Sequence, residues 1–154
     1  MSQPLILSVE TATLSGSVAV TRGSEMVGVI GGDPDISHSN TLLVDVDKLL
    51  DQTQLALPEI DLFAVATGPG SFTGLRIGIA TIKALAATLD RPCVGIPTLE
   101  AVALSAGVSE ASIALLPAGR GEVFTQLFAV HNDDAHPRLV EALDEPAHVP
   151  PARL

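Results

Sequence analysis

Apolar residues near the start of the chain fall in short runs divided by turn residues. Residues 5–9 are apolar and give way to Glu10-Thr11-Ala12-Thr13; two further β-rich runs cover residues 17–20 and 25–30, with Arg22-Gly23-Ser24 between them. This pattern predicts three antiparallel strands joined by tight turns. Over residues 39–54 the spacing changes: Leu42, Leu43, Val46, Leu49 and Leu50 recur with a helical period, and Ser39 or Asn40 is placed to cap the start. Residues 62–66 form a continuous apolar run bounded by Gly68-Pro69-Gly70, as in a central strand buried on both faces. A second helix is predicted over residues 75–89 and stopped by Asp90-Arg91-Pro92. Residues 93–96 read as another buried strand, with Cys93 a small core residue, and Thr98-Leu99-Glu100 opens a third helix ending near Gly107. The order is βββαβαβα.

Beyond Gly107 the pattern partly restarts. Apolar residues 113–116 precede Pro117-Ala118-Gly119-Arg120-Gly121, strand-like composition follows over residues 122–130, and a last apolar run covers residues 139–143. The expected organisation is an N-terminal lobe over residues 1–107 and a partial second lobe over residues 108–154. The tail from Asp144, with Pro146, Pro150 and Pro151, carries no periodic signal and is expected to be irregular.

Composition narrows the classes that remain. The 154 residues are 47% hydrophobic and 17% charged, and the mean hydropathy is +0.43. This suits a folded chain of one compact domain or two small lobes and excludes disorder. Arg76 and Lys83 interrupt the richest apolar stretch, so no run is expected to reach the roughly 18 residues of a spanning helix. The apolar surplus must then be buried inside the fold or against another chain. Eight Lys and Arg against eighteen Asp and Glu give a formal charge of -10, and the cations are spread along the sequence. Such a chain repels phosphate backbones, and with no Trp or Tyr and four Phe it has few surfaces for stacking bases. Direct nucleic-acid binding is disfavoured. The single cysteine excludes an internal disulfide framework, a lone His38 has no second histidine at metal spacing, and the start MSQPLILSVE lacks a secretory pattern. No membrane association and a cytoplasmic location are expected.

The most distinctive segment is Gly68-Pro69-Gly70-Ser71-Phe72-Thr73-Gly74-Leu75-Arg76-Ile77-Gly78, between a strand and a helix. Free backbone N–H groups at such a turn can hold an anion; the alternative is a tight turn with close helix packing. It is not a Walker A loop, because Gly74 is followed by Leu75 and Arg76 in place of Lys-Ser/Thr. A nucleophile elbow fails because Pro69 and Thr73 flank Ser71 where glycines are required. A dinucleotide fingerprint fails because Thr73 stands at the last glycine position. On the helical wheel that follows, Leu75, Ile79, Ile82, Leu85, Ala86 and Leu89 share one side and Ala80, Ala84 and Ala87 another. A helix of this kind is covered twice, by its own sheet and by a neighbour, either the first helix or another subunit. Arg76, in a first turn where the macrodipole disfavours cations, calls for a carboxylate or phosphate partner; Glu10, Glu122 or a partner's residue would fit.

Taken together, four segments resemble the TsaB/YeaZ family, the accessory subunit of the bacterial machinery that makes threonylcarbamoyladenosine in tRNA. They are residues 6–13 with 17–20, where Glu10 stands at the family's usual Asp; Ser37-His38-Ser39 at the entry to the first helix; GPGSFTGLRIG over residues 68–78; and Gly121-Glu122-Val123-Phe124. Gly68, Gly70, Ser71, Phe72, Thr73, Gly74, Arg76 and Gly78 are the motif positions of the third segment, and Arg120, Gly121 and Glu122 those of the fourth. The resemblance implies an α/β fold, an actin-like (Hsp70, sugar-kinase, ribonuclease H-like) lobe with a mixed sheet and a shortened second lobe. It implies a non-catalytic subunit that pairs with and activates its catalytic paralogue TsaD and supports the ATPase TsaE, reaching tRNA only indirectly. No cofactor is expected on this chain alone, ATP/ADP and metal being held by the partner subunits. The family pairs through its first two helices, which places the partner surface at Leu42, Val46 and Leu49 on the first and at Leu75, Arg76, Ile79, Ala80, Ile82, Lys83, Ala84 and Ala87 on the second. Alone, the chain is expected to form a homodimer through the same surface. Two departures stand out: Pro117-Ala118-Gly119-Arg120 replaces the family's Asp-Ala-Arg, and family members usually continue further. The competing reading is an actin-fold ATPase or small-molecule kinase, with Glu10 as the first-strand acid. At the second acidic position stands Pro117, which can neither ligate a metal nor donate an N–H.

Overall fold

A computed structural model describes residues 3–31, 38–132 and 138–150, the side chains of residues 38–40 excepted. The backbone follows the predicted order through β1 (Leu5–Glu10), β2 (Ser17–Arg22), β3 (Glu25–Gly31), α1 (His38–Thr53), a 3-10 turn at Leu57–Glu59, β4 (Leu62–Ala66), α2 (Phe72–Leu89), β5 (Cys93–Ile96) and α3 (Thr98–Ala106). Four strands follow: β6 (Ser109–Gly119), β7 (Glu122–His131), β8 (Leu139–Ala142) and β9 (Ala147–Val149). The chain divides into two compact units, one formed by the described residues up to Thr67 together with Ser71–Gly95, the other by Gly68–Gly70 and the described residues from Ile96 on.

In the first unit a five-stranded sheet runs in the order β3-β2-β1-β4-β5. β1 pairs antiparallel with β2 and parallel with β4, so the sheet is mixed, with Leu7 opposite both Val20 and Phe63. Alternation puts Leu5, Leu7 and Val9 on one face with Val18 and Val20, against Leu42, Val46, Leu49 and Leu50 of α1 and Ile82 and Ala86 of α2. Leu7, Val20, Leu49, Phe63 and Ile82 are fully buried there. The second unit is a four-stranded sheet in which β6 and β8 flank β7 and β9 also pairs with β7. Its core joins Leu99 and Ala103 of α3 to Ala114, Leu116, Phe128 and Val130. α3 therefore belongs to the second unit, and the boundary expected after residue 107 falls after Gly95 instead. The apolar stripe of α3 is satisfied by β6 and β7.

Five further expectations change. α2 begins at Phe72 rather than Leu75, because the Ser71 hydroxyl accepts a hydrogen bond from the Gly74 N–H at 3.2 Å and caps it. At eighteen residues with mean hydropathy 1.3, α2 is by length and composition long and apolar enough to cross a membrane, contrary to the expectation that no segment would be. α1 is already helical at His38, so Ser39 and Asn40 lie within its first turn rather than ahead of it. β5, expected to be buried, is exposed along its length, Cys93 included. It lies at the sheet edge, while α1 and α2 pack over β1 to β4. The tail expected to be irregular contributes β9, whose His148 ring packs against Phe124 with centroids 5.0 Å apart.

Candidate functional site

The glycine-rich segment is a packing device at both ends. Gly68 and Thr98 bond reciprocally: the Gly68 N–H donates to Thr98 Oγ1 at 3.1 Å, and the Thr98 N–H donates to the Gly68 carbonyl at 2.8 Å. The peptide before Pro69 is cis, and Gly68 and Gly70 have φ of 108° and 156°. In the first unit, the Ser71 N–H donates to the Ala12 carbonyl at 2.7 Å, which ties the start of α2 to the turn after β1. A Cβ on Gly74 would lie 2.0 Å from the Thr11 carbonyl oxygen, and one on Gly78 2.2 Å from Thr11 Oγ1. These two glycines, one turn apart, let α2 approach Thr11 as no larger residue could. The N–H groups of Gly68, Ser71 and Gly74 have protein acceptors. Of the two readings of the segment, close packing is the one this geometry supports.

The first-strand acid is engaged in the same way. Glu10 accepts from the Thr13 N–H at 2.8 Å through one oxygen and from the Thr13 hydroxyl at 2.7 Å through the other. The recess beside it, lined by Glu10, Ser15, Ser17, Thr41 and Asp45 among others, holds about 10 Å³ of free space. A single water needs about 10–15 Å³, so this recess is of about that size. Among the described residues there is no cluster of three or more His, Cys, Asp or Glu side chains placed to hold a metal. In the second unit, Arg120 and Gly121 form the tight turn between β6 and β7, both with positive φ, which leaves Arg120 exposed at the tip. Glu122 accepts from His148 Nε2 at 2.7 Å. Pro117 lies extended in β6 opposite Val123.

The helical layer of the first unit carries the other candidate surface, and the structure sorts its expected members. Leu42, Val46, Leu49 and Ile82 are buried and point into the core, Val46 also lining the groove between the helices. Leu75 and Ile79 are half-buried, while Arg76, Ala80, Lys83, Ala84 and Ala87 are exposed on one crest of α2. On α1 the outward apolar residues are Leu43 and Val44, 61% and 50% exposed, which the sequence reading did not assign to the surface. The two adjacent leucines, 42 and 43, share the helical stripe, and periodicity alone does not say which turns inward. A groove of about 380 Å³ runs between the helices, lined by Leu43, Val44, Val46, Asp47, Leu50, Leu57 and Leu85. Arg76 does not pair with Glu10, whose carboxylate is engaged as described. Its guanidinium instead lies over the Phe72 ring, 5.3 Å from the centroid, and Phe72 is itself 73% exposed. His38 is placed in the backbone of α1; its side chain lies outside the described residues.

Comparison with known proteins bears on both surfaces. The family model described as TsaD, tRNA N6-adenosine threonylcarbamoyltransferase, matches residues 18–152. The tRNA threonylcarbamoyladenosine biosynthesis protein TsaB of Bacillus subtilis is 30% identical over 128 residues, 82% of this chain and 56% of that protein. TsaB of Escherichia coli is 32% identical over 125 residues, 77% of this chain and 52% of that protein. The chain thus spans about half the length of the curated relatives it matches. Among solved structures, YeaZ from Pseudomonas aeruginosa superposes with a TM-score of 0.83 at 28% identity, covering 99% of this chain and 69% of that one. The mixed sheet with α1 and α2 on one face is the actin-like, ribonuclease H-like arrangement, and by fold, motif and match the chain belongs to the TsaB/YeaZ family, within the wider group that the TsaD model describes.

Proposed function

We propose that this chain acts in the biosynthesis of threonylcarbamoyladenosine in tRNA as a non-catalytic cytoplasmic subunit. It docks through the exposed crests of α1 and α2 onto a homologous actin-like subunit, the threonylcarbamoyltransferase TsaD, and keeps that enzyme active. The observation that carries the reading is the groove between those helices, lined by the exposed Leu43 and Val44 of α1 and by Leu85 of α2. Surface of this kind is covered in the working state of a chain. A homologous partner fits because a TsaD-type protein, that of Protochlamydia amoebophila, is 45% identical to this chain over 64 residues. Nucleotide and metal then belong to the partner subunits, TsaE among them, and tRNA is met only through them. The carboxylate of Glu10, engaged by Thr13 through both oxygens, supports a role without phosphoryl transfer.

The test is co-elution with TsaD. Ala84→Arg, on an exposed position of α2, is expected to abolish the complex while leaving the circular dichroism spectrum unchanged; co-elution at wild-type affinity overturns the docking reading. Position of Glu10 on the first strand favours the competing reading, an ATPase or small-molecule kinase. Micromolar binding of Mg-ATP by the isolated chain in a calorimetric titration decides for it.

A further inference from the structure

β6 is the outer strand of the second sheet, and among the described residues it has a neighbour, β7, on one side only. Its Ala114 and Leu116 are buried with α3, so Ile113 and Leu115 stand on the other face, 59% and 44% exposed. The direction of the backbone groups follows from the far side of β7. There the Leu127 N–H donates to Asp144 Oδ1 at 2.7 Å, and the Leu127 carbonyl accepts from the Leu143 N–H at 2.9 Å. Both polar groups of Leu127 are turned away from β6, so Ile113, which lies opposite Leu127, turns its own N–H and C=O away from β7. Alternation gives Leu115 and Pro117 the same outward direction. Pro117, with no N–H, therefore costs the β6–β7 ladder nothing. Between Glu110 and Arg120 the strand has no charged side chain, and charge is a common guard of an open edge.

We propose that β6 of a second copy pairs antiparallel with this edge about a two-fold axis, Ile113 of each copy opposite Leu115 of the other, so that the two sheets become one. The inference concerns the second unit and does not rest on the reading of α1 and α2. In this register each Ile113–Leu115 pair exchanges two N–H···O bonds, and the paired side chains adjoin on the exposed face. A shift of two residues one way sets Ile113 against Pro117, which has no N–H to give. A shift the other way sets Leu115 against Ala111, inside the irregularity between Ser109 and Ser112. The strand ends also suit a second copy. Glu110 of each comes level with Ala118 of the other, two residues from Arg120; Glu110 and Arg120 are both exposed, and neither has an ion-pair partner among the described residues. A strand apolar in its middle and oppositely charged at its two ends is complementary to itself when the pairing is antiparallel.

Sedimentation equilibrium of the full chain carrying Ala84→Arg, which blocks the helical face, isolates this contact. Leu115→Pro deletes one shared bond from each copy and is expected to raise the dimer dissociation constant on the order of tenfold or more. Circular dichroism should not change, because the N–H that is lost makes no bond within the β6–β7 ladder. Ile113→Lys and Leu115→Glu are each expected to weaken association as well. Their equimolar mixture sets Lys against Glu at one pair and keeps Ile against Leu at the other, and is expected to associate more tightly than either variant alone. Hydrogen exchange gives a second readout: the Ile113 and Leu115 amides are expected to exchange freely in dilute solution and to slow as concentration rises. A chain that stays monomeric at millimolar concentration, or β6 variants that all associate like their parent, overturns the proposal. A mixture no tighter than its components overturns the register. Protection of the two amides that does not vary with concentration gives the edge to another segment of the same chain and overturns the second copy.

Discussion

Thr11 shows how much of this protein turns on a single residue. Its carbonyl and hydroxyl fill the places where Gly74 and Gly78 have no side chain, and its Oγ1 is buried without a hydrogen-bond partner among the described residues. An unsatisfied buried hydroxyl costs stability, so Thr11→Val, which keeps the shape, is expected to stabilise the chain by about 1 kcal/mol in urea denaturation. Gly78→Ala is expected to cost about 2 kcal/mol by overpacking in the wild-type background. It should cost much less with Thr11→Ala alongside, since the conflict is with Oγ1. An equal cost in both backgrounds would mean that the close approach lies elsewhere. The glycine segment was recognisable in the sequence. That its glycines answer to a threonine some sixty residues earlier was not, because nothing local to Thr11 marks it as the residue a helix will meet.

Among the elements, α2 joins motif and docking face, and its ends are set by two residues. Ser71 caps the start, while Asp90 closes the end with φ 52° in the left-handed region. Ser71→Ala is expected to lower stability by about 1 kcal/mol through loss of the cap. Asp90→Gly is expected to raise it by several tenths of a kcal/mol, since glycine adopts that conformation without penalty; both are read as shifts in thermal midpoint. Opposite signs for the two identify the caps, and a shared sign would not. The period of α1 and α2 was legible from the sequence. Their inward faces were only partly so, because α1 carries Leu42, Leu43 and Val44 in a row and α2 is apolar on more than one side.

Across the whole molecule, stability and association reside in different residues. Leu49 is fully buried between helix and sheet, so Leu49→Ala is expected to cost about 2–5 kcal/mol and to abolish pairing only by loosening the fold. Leu43→Asp, at a position 61% exposed, is expected to leave unfolding unchanged within about 0.5 kcal/mol while separating the chain from its partner. Denaturation and gel filtration of the two variants check the split. If Leu43→Asp pairs normally, the α1 crest is not part of the interface.

Short alternating runs, a helical stripe, a glycine-rich segment and a prolyl stop were enough to read the elements through α3 from the residues alone, and the motifs were enough to place the family. Those features are local: a strand's period and a capping serine act within a few residues. What only the tertiary structure decided is which side of each apolar helix is spent inside, burying Leu42 and Leu49 and leaving Leu43 and Val44 exposed. It also decided that α3 serves the second core, that Glu122 takes His148, and that β9 pairs where the sequence has no periodic signal. Each of these depends on contacts between residues far apart in the chain, and composition and spacing carry no record of them.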